Sequence, residues 1–329
     1  LETSVQESTA TGILGPCDRT TDIGVEFRHS GWRGRRQRVL EAFERIDPLS
    51  SRAARFAACG RNAWVMQSVS DPDVYRVACS KCHDRLCQPC ASARSRRVAA
   101  RVAELSKNRE IRFLTLTLRI NDAPLGDQVT RLLSCFARLR RRVMWKRSQT
   151  GGVAFLELKR RAESHTWHPH IHAIIEGTYL DKKVISRAWH ELTGDSFIVK
   201  IKLCDSSERA AYYAAKYSGK AVHGGVENDP DMLDEAIQSL KGRRLLTCFG
   251  DWRFPSASDD LYPDEWRTVG TLRSVLERSH GGDPSARGVV ACLTGIATCD
   301  LPGHDPPVPD PVRVAHDAQR SAWYDSFPF

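Results

Sequence analysis

Apolar positions along the chain switch between two periods, and the switches mark the elements. In residues 33–47, Val39, Leu40, Phe43 and Ile46 fall on one helical face, and Pro48 ends the helix. Residues 91–107 follow Pro89 as a basic helix. At 111–120 the pattern becomes strict alternation, with Phe113, Thr115 and Thr117 on one side and Leu114, Leu116 and Leu118 on the other, which predicts a strand. Residues 126–147 predict one long amphipathic helix, broken by Gly151-Gly152. Strands follow at 153–159 and 169–176, around a polar segment centred near Glu163-Ser164. Asp181 caps a helix that runs to Gly194, residues 196–203 alternate as a strand, and Ser206-Ser207 caps a helix over 208–218 closed by Gly219. One more helical stretch is expected near 264–278. Residues 1–30 suggest a polar leader, and the Pro- and Asp-rich segment from 300 onward a tail.

Composition narrows the class. The 329 residues are 41% hydrophobic and 27% charged, enough for a sizeable core. No apolar run approaches the ~18–20 residues of a membrane span, and no secretory signal pattern is visible. The expected setting is the cytoplasm, with no membrane partner. The net charge of +9 is unevenly spread: residues 221–329 carry 10 Lys and Arg against 17 Asp and Glu, which leaves +16 on residues 1–220. A basic body with an acidic end suits a polyanion partner.

The sharpest chemical signal is Trp167-His168-Pro169-His170-Ile171-His172. On a strand, His170 and His172 share a face and can chelate one ion. His168 has the same parity but precedes a proline at the strand entrance. If the two neighbouring strands form a hairpin centred near 163.5, Glu157 falls opposite His170 and completes a His/His/Glu set; a two-residue slip would keep the face and change the partner. A zinc-peptidase reading needs histidines four apart on a helix, which this segment lacks.

The second signal is Tyr212-Tyr213-Ala-Ala-Lys216-Tyr217-Ser-Gly-Lys220. Tyr213 and Tyr217 share one helical face, with Lys216 and Lys220 as an adjacent stripe. Phenols beside ammonium groups suit a phenolate that attacks a phosphate. The plainer alternative is an amphipathic helix with half-buried tyrosines.

With FLTLTL (113–118), HPHIHAII (168–175) and YAAKYSGK (213–220) in this order, the chain resembles the HUH endonuclease superfamily, specifically rolling-circle replication initiators of bacterial plasmids. The resemblance covers roughly 59–253. It implies an α+β fold, a central antiparallel β-sheet flanked by helices, with the histidine strand central and the tyrosine helix over the metal. It implies His170 and His172 as ligands of Mg2+ or Mn2+, with Glu157 third, and Tyr217 as the nicking nucleophile. Tyr213 stands where many plasmid initiators carry Glu, so the arrangement resembles the two-tyrosine variant and implies that both act. The implied function is nicking and rejoining of single-stranded or supercoiled origin DNA, giving a 5′-phosphotyrosine and a free 3′-OH. No P-loop is visible, so a helicase is expected to be a separate host protein. A two-tyrosine transposase and a non-catalytic zinc-containing DNA-binding regulator are the alternatives; a conjugative relaxase would place its tyrosine ahead of the histidines.

Of eleven cysteines, Cys59, Cys79, Cys82, Cys87 and Cys90 cluster, and a structural Zn2+ drawn from these five is expected to brace the basic helix. Arg94, Arg96, Arg97 and Arg101 on that helix, and Arg140 and Arg141 in a second cluster, are candidate DNA contacts. Trp145 and Trp167 are candidate base platforms. The expected organisation is a leader and helix over 1–58, a small N-terminal zinc-binding module over 59–107, a nicking and joining domain over 108–253, and an acidic Pro-rich region over 254–329.

Overall fold

The computed structural model describes residues 22–160, 166–219, 222, 225–254 and 265–295. Three short helices come first: α1 (Ile23–Arg28), α2 (Arg33–Ile46) and α3 (Ser51–Ala57). Strands β1 (Trp64–Ser68) and β2 (Tyr75–Ala78) precede α4 (Gln88–Ser106) and β3 (Ile111–Thr117). Then come α5 (Leu125–Leu139), α6 (Val143–Ser148), β4 (Gln149–Arg160), β5 (Trp167–Gly177), α7 (Lys182–Thr193), β6 (Val199–Cys204) and α8 (Ser207–Ser218). The chain closes with α9 (Pro230–Ser239), β7 (Leu246–Gly250), β8 (Trp266–Thr271), α10 (Leu272–His280) and α11 (Pro284–Thr294).

The chain divides into two compact units. The first joins residues 1–61 to 80–263, and the second joins 62–79 to 264–329. The cysteine segment from 80 onward and helix α4 therefore fall in the same unit as the histidine strand.

In the first unit, five strands form an antiparallel sheet in the order β6-β3-β5-β4-β7, with the histidine strand β5 in the middle. A central strand is buried on both faces and reads as a nearly unbroken apolar run; Ile171, Ala173, Ile174 and Ile175 are all buried. One face carries Leu114, Leu116, Leu156, Ile171 and Ile175, packed in a core shared with Leu132 and Phe136 of α5, Ile185 and Trp189 of α7, and Leu233 and Ile237 of α9. Burying each such side chain contributes ~1.5–3 kcal/mol. The other face carries Phe113, Phe155 and Ile174 against Val98 and Val102 of α4 and Ala210 and Ala214 of α8. This is the expected α+β architecture.

The hairpin register is the expected one. Glu157 pairs with His170, Leu156 with Ile171 and Leu158 with Pro169. The centre of that hairpin lies outside the described residues, as do the segment from 300 onward and residues 1–21. The capping predictions also agree: the Asp181 side chain accepts from the Lys183 N–H, and the Ser206 side chain from that of Arg209.

Three predictions are corrected. The long helix over 126–147 is two helices, because Arg142 turns extended (ψ 144°) and caps α6. Arginines one turn apart repel along a helix, and Arg140 instead stacks between Phe136 and Phe249, 4.9 and 5.0 Å from their ring centroids. The stretch near 264–278 begins as strand β8, whose aromatic and β-branched residues pair with β1; only after Thr271 caps it does α10 start. The supposed leader contains α1, capped by Asp22.

The second unit is a three-stranded antiparallel sheet, β2-β1-β8, packed with α10 and α11. No helix among the described residues is long and apolar enough to cross a membrane.

Candidate active site and cysteine cluster

Because β5 alternates, His168, His170 and His172 point to the face covered by α8, and register places Thr115 of β3 opposite His172. Donor atoms of Glu157, His170 and His172 all lie within 4.8 Å of one another, as a shared metal ion requires. His172 is held at both nitrogens: Nε2 lies 2.6 Å from Glu157 Oε2, and Nδ1 lies 3.1 Å from Thr115 Oγ1. His170 Nε2 lies 3.1 Å from His168 Nδ1, and His168 Nε2 lies 3.1 Å from the Leu118 carbonyl oxygen. Burial, reinforced by His168 and His172, pushes the His170 pKa down to about 3, and burial also lowers that of His172 against the pull of Glu157. Both rings are therefore neutral near pH 7, the form that ligates metals.

Helix α8 lays the tyrosines on this site. The Tyr217 ring stacks on His172, with centroids 3.8 Å apart. Tyr213 stacks on Phe113 at 4.2 Å, and Phe113 in turn lies 5.6 Å from Tyr217. Lys216 Nζ sits 5.5 Å from the Tyr217 ring centroid, while Lys220 lies outside the described residues. Burial is the largest influence on the Tyr217 phenol, followed by the Glu157 carboxylate, and both raise its pKa. The expected lowering by neighbouring ammonium groups does not prevail in this environment. Arg209, one turn before Tyr213, is a further cation on this helix, and its guanidinium is bound by the Asp205 carboxylate at 2.7 and 3.0 Å.

The cysteines sort themselves. Cys59, Cys82, Cys87 and Cys90 gather within 4.8 Å, and Cys79 is not part of the set. Sulfur–sulfur separations of 3.7 Å (Cys59–Cys87, Cys59–Cys90, Cys82–Cys90) match the ~3.8 Å edge of a tetrahedron with Zn–S bonds of ~2.3 Å. Arg28 of α1 donates to Cys59 Sγ and Cys90 Sγ, each at 3.3 Å, and His29 Nε2 lies 3.2 Å from the Cys59 carbonyl oxygen. Hydrogen bonding from Cys82, Cys87 and Cys90 pulls the Cys59 thiol far below its ordinary range. Gly60 (φ +108°) permits this close approach, since a Cβ there would come within 2.7 Å of Val25 Cα. Cys87 caps α4 and Cys90 lies in its first turn. Further along α4, Ser95 Oγ donates to the Ala215 carbonyl of α8 at 2.6 Å. The cluster and the tyrosine helix are thus joined through one helix.

The basic candidates differ among themselves. Arg96 is exposed and Arg94 donates to the His83 carbonyl, but Arg101 is engaged by Glu104 at 2.6 Å and by the Arg253 carbonyl. Arg97 is half-buried, Arg140 is packed on two aromatic rings, and Arg141 is exposed. Trp145 and Trp167 are core residues rather than platforms: Trp145 packs on Phe136 and Phe249, and Trp167 donates to Glu235 at 2.6 Å. Phe113, Thr115, His168 and Arg209 were legible only as strand or helix parity, which does not say what stands opposite.

Residues 76–268, which span the His/His/Glu set, the tyrosine helix and three of the four clustered cysteines, match the sequence profile of a family described as Replication protein. The chain belongs to this family. The replication protein is similar to curated relatives named "Protein rep": one from Streptococcus pneumoniae serotype 2 (strain D39 / NCTC 7466), 23% identical over 68% of this chain and 78% of that protein; one from Bacillus amyloliquefaciens, 28% identical over 49% and 53%; and one from a Bacillus species, 32% identical over 34% and 39%. The alignment thus spans about half of the second relative and less of the third. No solved structure matches the replication protein. The Rep resemblance carried by the three motifs is the family the comparisons return.

Proposed function

We propose that this replication protein initiates rolling-circle replication of a plasmid by nicking and rejoining single-stranded or supercoiled origin DNA. The observation that carries the proposal is the 3.8 Å stack of Tyr217 on His172, itself held by Glu157. Tyr217 of α8 and the Glu157, His170 and His172 donor set of β4 and β5 meet on one face of the sheet.

Glu157, His170 and His172 would hold a divalent cation, Mg2+ or Mn2+. When bound, such an ion polarises the scissile phosphate and offsets its charge. Tyr217 Oη attacks phosphorus, the bond to the 3′ oxygen breaks, and the phenol's proton is balanced by the one the departing 3′ oxygen takes up. One phosphoester replaces another, so a later 3′-OH can reverse the step and join strands. Tyr213, which stacks on the same Phe113 ring that lies 5.6 Å from Tyr217, would supply a second attack in the same site. Zn2+ on Cys59, Cys82, Cys87 and Cys90 would fix the start of α4, and through Ser95 the tyrosine helix. Arg94, Arg96, Arg97 and Arg141 would meet DNA phosphates, and strand opening would fall to a separate host helicase. Membership of a replication family favours this over transposition.

The test is covalent capture: single-stranded origin DNA with Mn2+ yields a protein–DNA adduct on a denaturing gel, mapped to its peptide. Tyr217→Phe loses the adduct or leaves a residue of it through Tyr213, and His170→Ala abolishes it. An adduct that persists without either tyrosine, or DNA binding with no adduct under any metal, sinks the proposal; the latter result returns the non-catalytic regulator.

A further inference from the structure

On the sheet face opposite the histidines, a cavity of about 230 Å3 opens beside β7, the edge strand. Its apolar lining includes Phe136, Leu156 and Ile171, and its rim carries Arg140, Arg243 and Arg244. Elsewhere in this unit, arginines near carboxylates are paired: Arg45 with Asp234 at 2.8 Å, Arg131 with Asp195 at 2.8 Å, and Arg142 with Glu191 at 3.2 Å. The three at the cavity form no ion pair among the described residues. Arg140 is held over Phe136 and Phe249 with its buried Nε unpartnered. Arg243 is fixed by the Gly126 carbonyl (3.2 Å) and Thr130 Oγ1 (2.8 Å), and Arg244 is exposed. Burial lowers the Arg140 pKa from its ordinary value, a cost that an anion beside it would repay.

We infer that this cavity binds one unpaired nucleotide of single-stranded DNA, the base inside the apolar lining and its phosphates on Arg243 and Arg244. The inference rests on the DNA-binding part of the proposed function and not on cleavage. Drug-sized ligands take cavities of ~300–1,000 Å3, so the present volume suits a single ring system. An apolar lining selects an unpaired base, because a duplex offers no ring to insert. Cations without carboxylate partners select phosphate over a neutral ligand. The site lies across the sheet from Tyr217, so it holds a segment beyond the reacting link, reached around the β7 edge.

The experiment uses the full chain without added Mg2+ or Mn2+, which separates binding from nicking. A dye-labelled oligo-dT is titrated by fluorescence anisotropy across a salt series, with a duplex of equal length in parallel. Arg244→Ala and Arg243→Ala each weaken single-strand affinity at least about fivefold and flatten the log–log salt slope by ~0.7. The duplex loses less. Arg187→Ala, an exposed arginine of α7, stays within about twofold of the parent and controls for net charge. Ultraviolet crosslinking of oligo-dT carrying one 5-iododeoxyuridine places the adduct on a peptide with Phe136 or with residues 245–249. Equal losses for single strand and duplex, no loss at Arg243 and Arg244, or crosslinks confined to other peptides overturn the inference. Covalent capture through Tyr217 can succeed or fail independently of each result.

Discussion

Thr115 Oγ1 lies 3.1 Å from His172 Nδ1, while Glu157 Oε2 holds the other nitrogen of the same ring at 2.6 Å. A ligating imidazole is oriented by what its second nitrogen meets, and loss of that partner costs ~10–100-fold in metal affinity. Thr115→Val keeps the shape and removes the hydroxyl. Its Mn2+ affinity, measured by calorimetry, falls within that range while the circular dichroism spectrum is unchanged. Unaltered affinity would mean that the hydroxyl does not orient the ring.

The cysteine set makes a prediction by exclusion. Zinc content measured by atomic emission is one ion per chain for the parent and for Cys79→Ser, and drops in Cys82→Ser and Cys87→Ser. The latter two lower the melting temperature, because a structural metal contributes folding energy directly. Loss of zinc in Cys79→Ser would reopen the choice of ligands.

Ser95 Oγ donates to the Ala215 carbonyl at 2.6 Å and ties α4 to the tyrosine helix. Ser95→Ala removes about 1 kcal/mol of net hydrogen-bond stability, readable in urea unfolding. Faster amide exchange over 207–218 and slower adduct formation accompany it. If adduct formation keeps its rate, the tie has no part in placing Tyr217.

Thiol chemistry separates three of the other described cysteines. Burial pushes Cys204 and Cys248 up to about 11, while Cys292 on α11 is exposed. A raised pKa keeps the Cys204 and Cys248 thiols protonated at pH 8, where the thiolate is the reactive form. Iodoacetamide mapping at pH 8 therefore labels Cys292 before Cys204 and Cys248. Labelling of Cys204 and Cys248 rises about tenfold per pH unit until their pKa is reached.

Local rules made much of this molecule legible before any coordinates. The alternation of β5 put His170 and His172 on one face, and a hairpin centred near 163.5 offered Glu157 as the partner of His170, a register the structure selects over a two-residue slip. Asp181 and Ser206 announced their helices because capping is a contact between near neighbours. What period and capping cannot encode is which distant elements meet. β1 and β8 pair across some 200 residues of sequence, so neither was foreseen. The same holds for the choice of Cys59 over Cys79, the stacking of Phe113 on Tyr213, and the arrival of Arg28 at two sulfurs. Side-chain chemistry and local repeat were determined by the sequence by itself. The tertiary structure decided partners and burial, and burial set the ionisation of His170 and Tyr217, because desolvation depends on everything packed around a group and not on its neighbours in the chain.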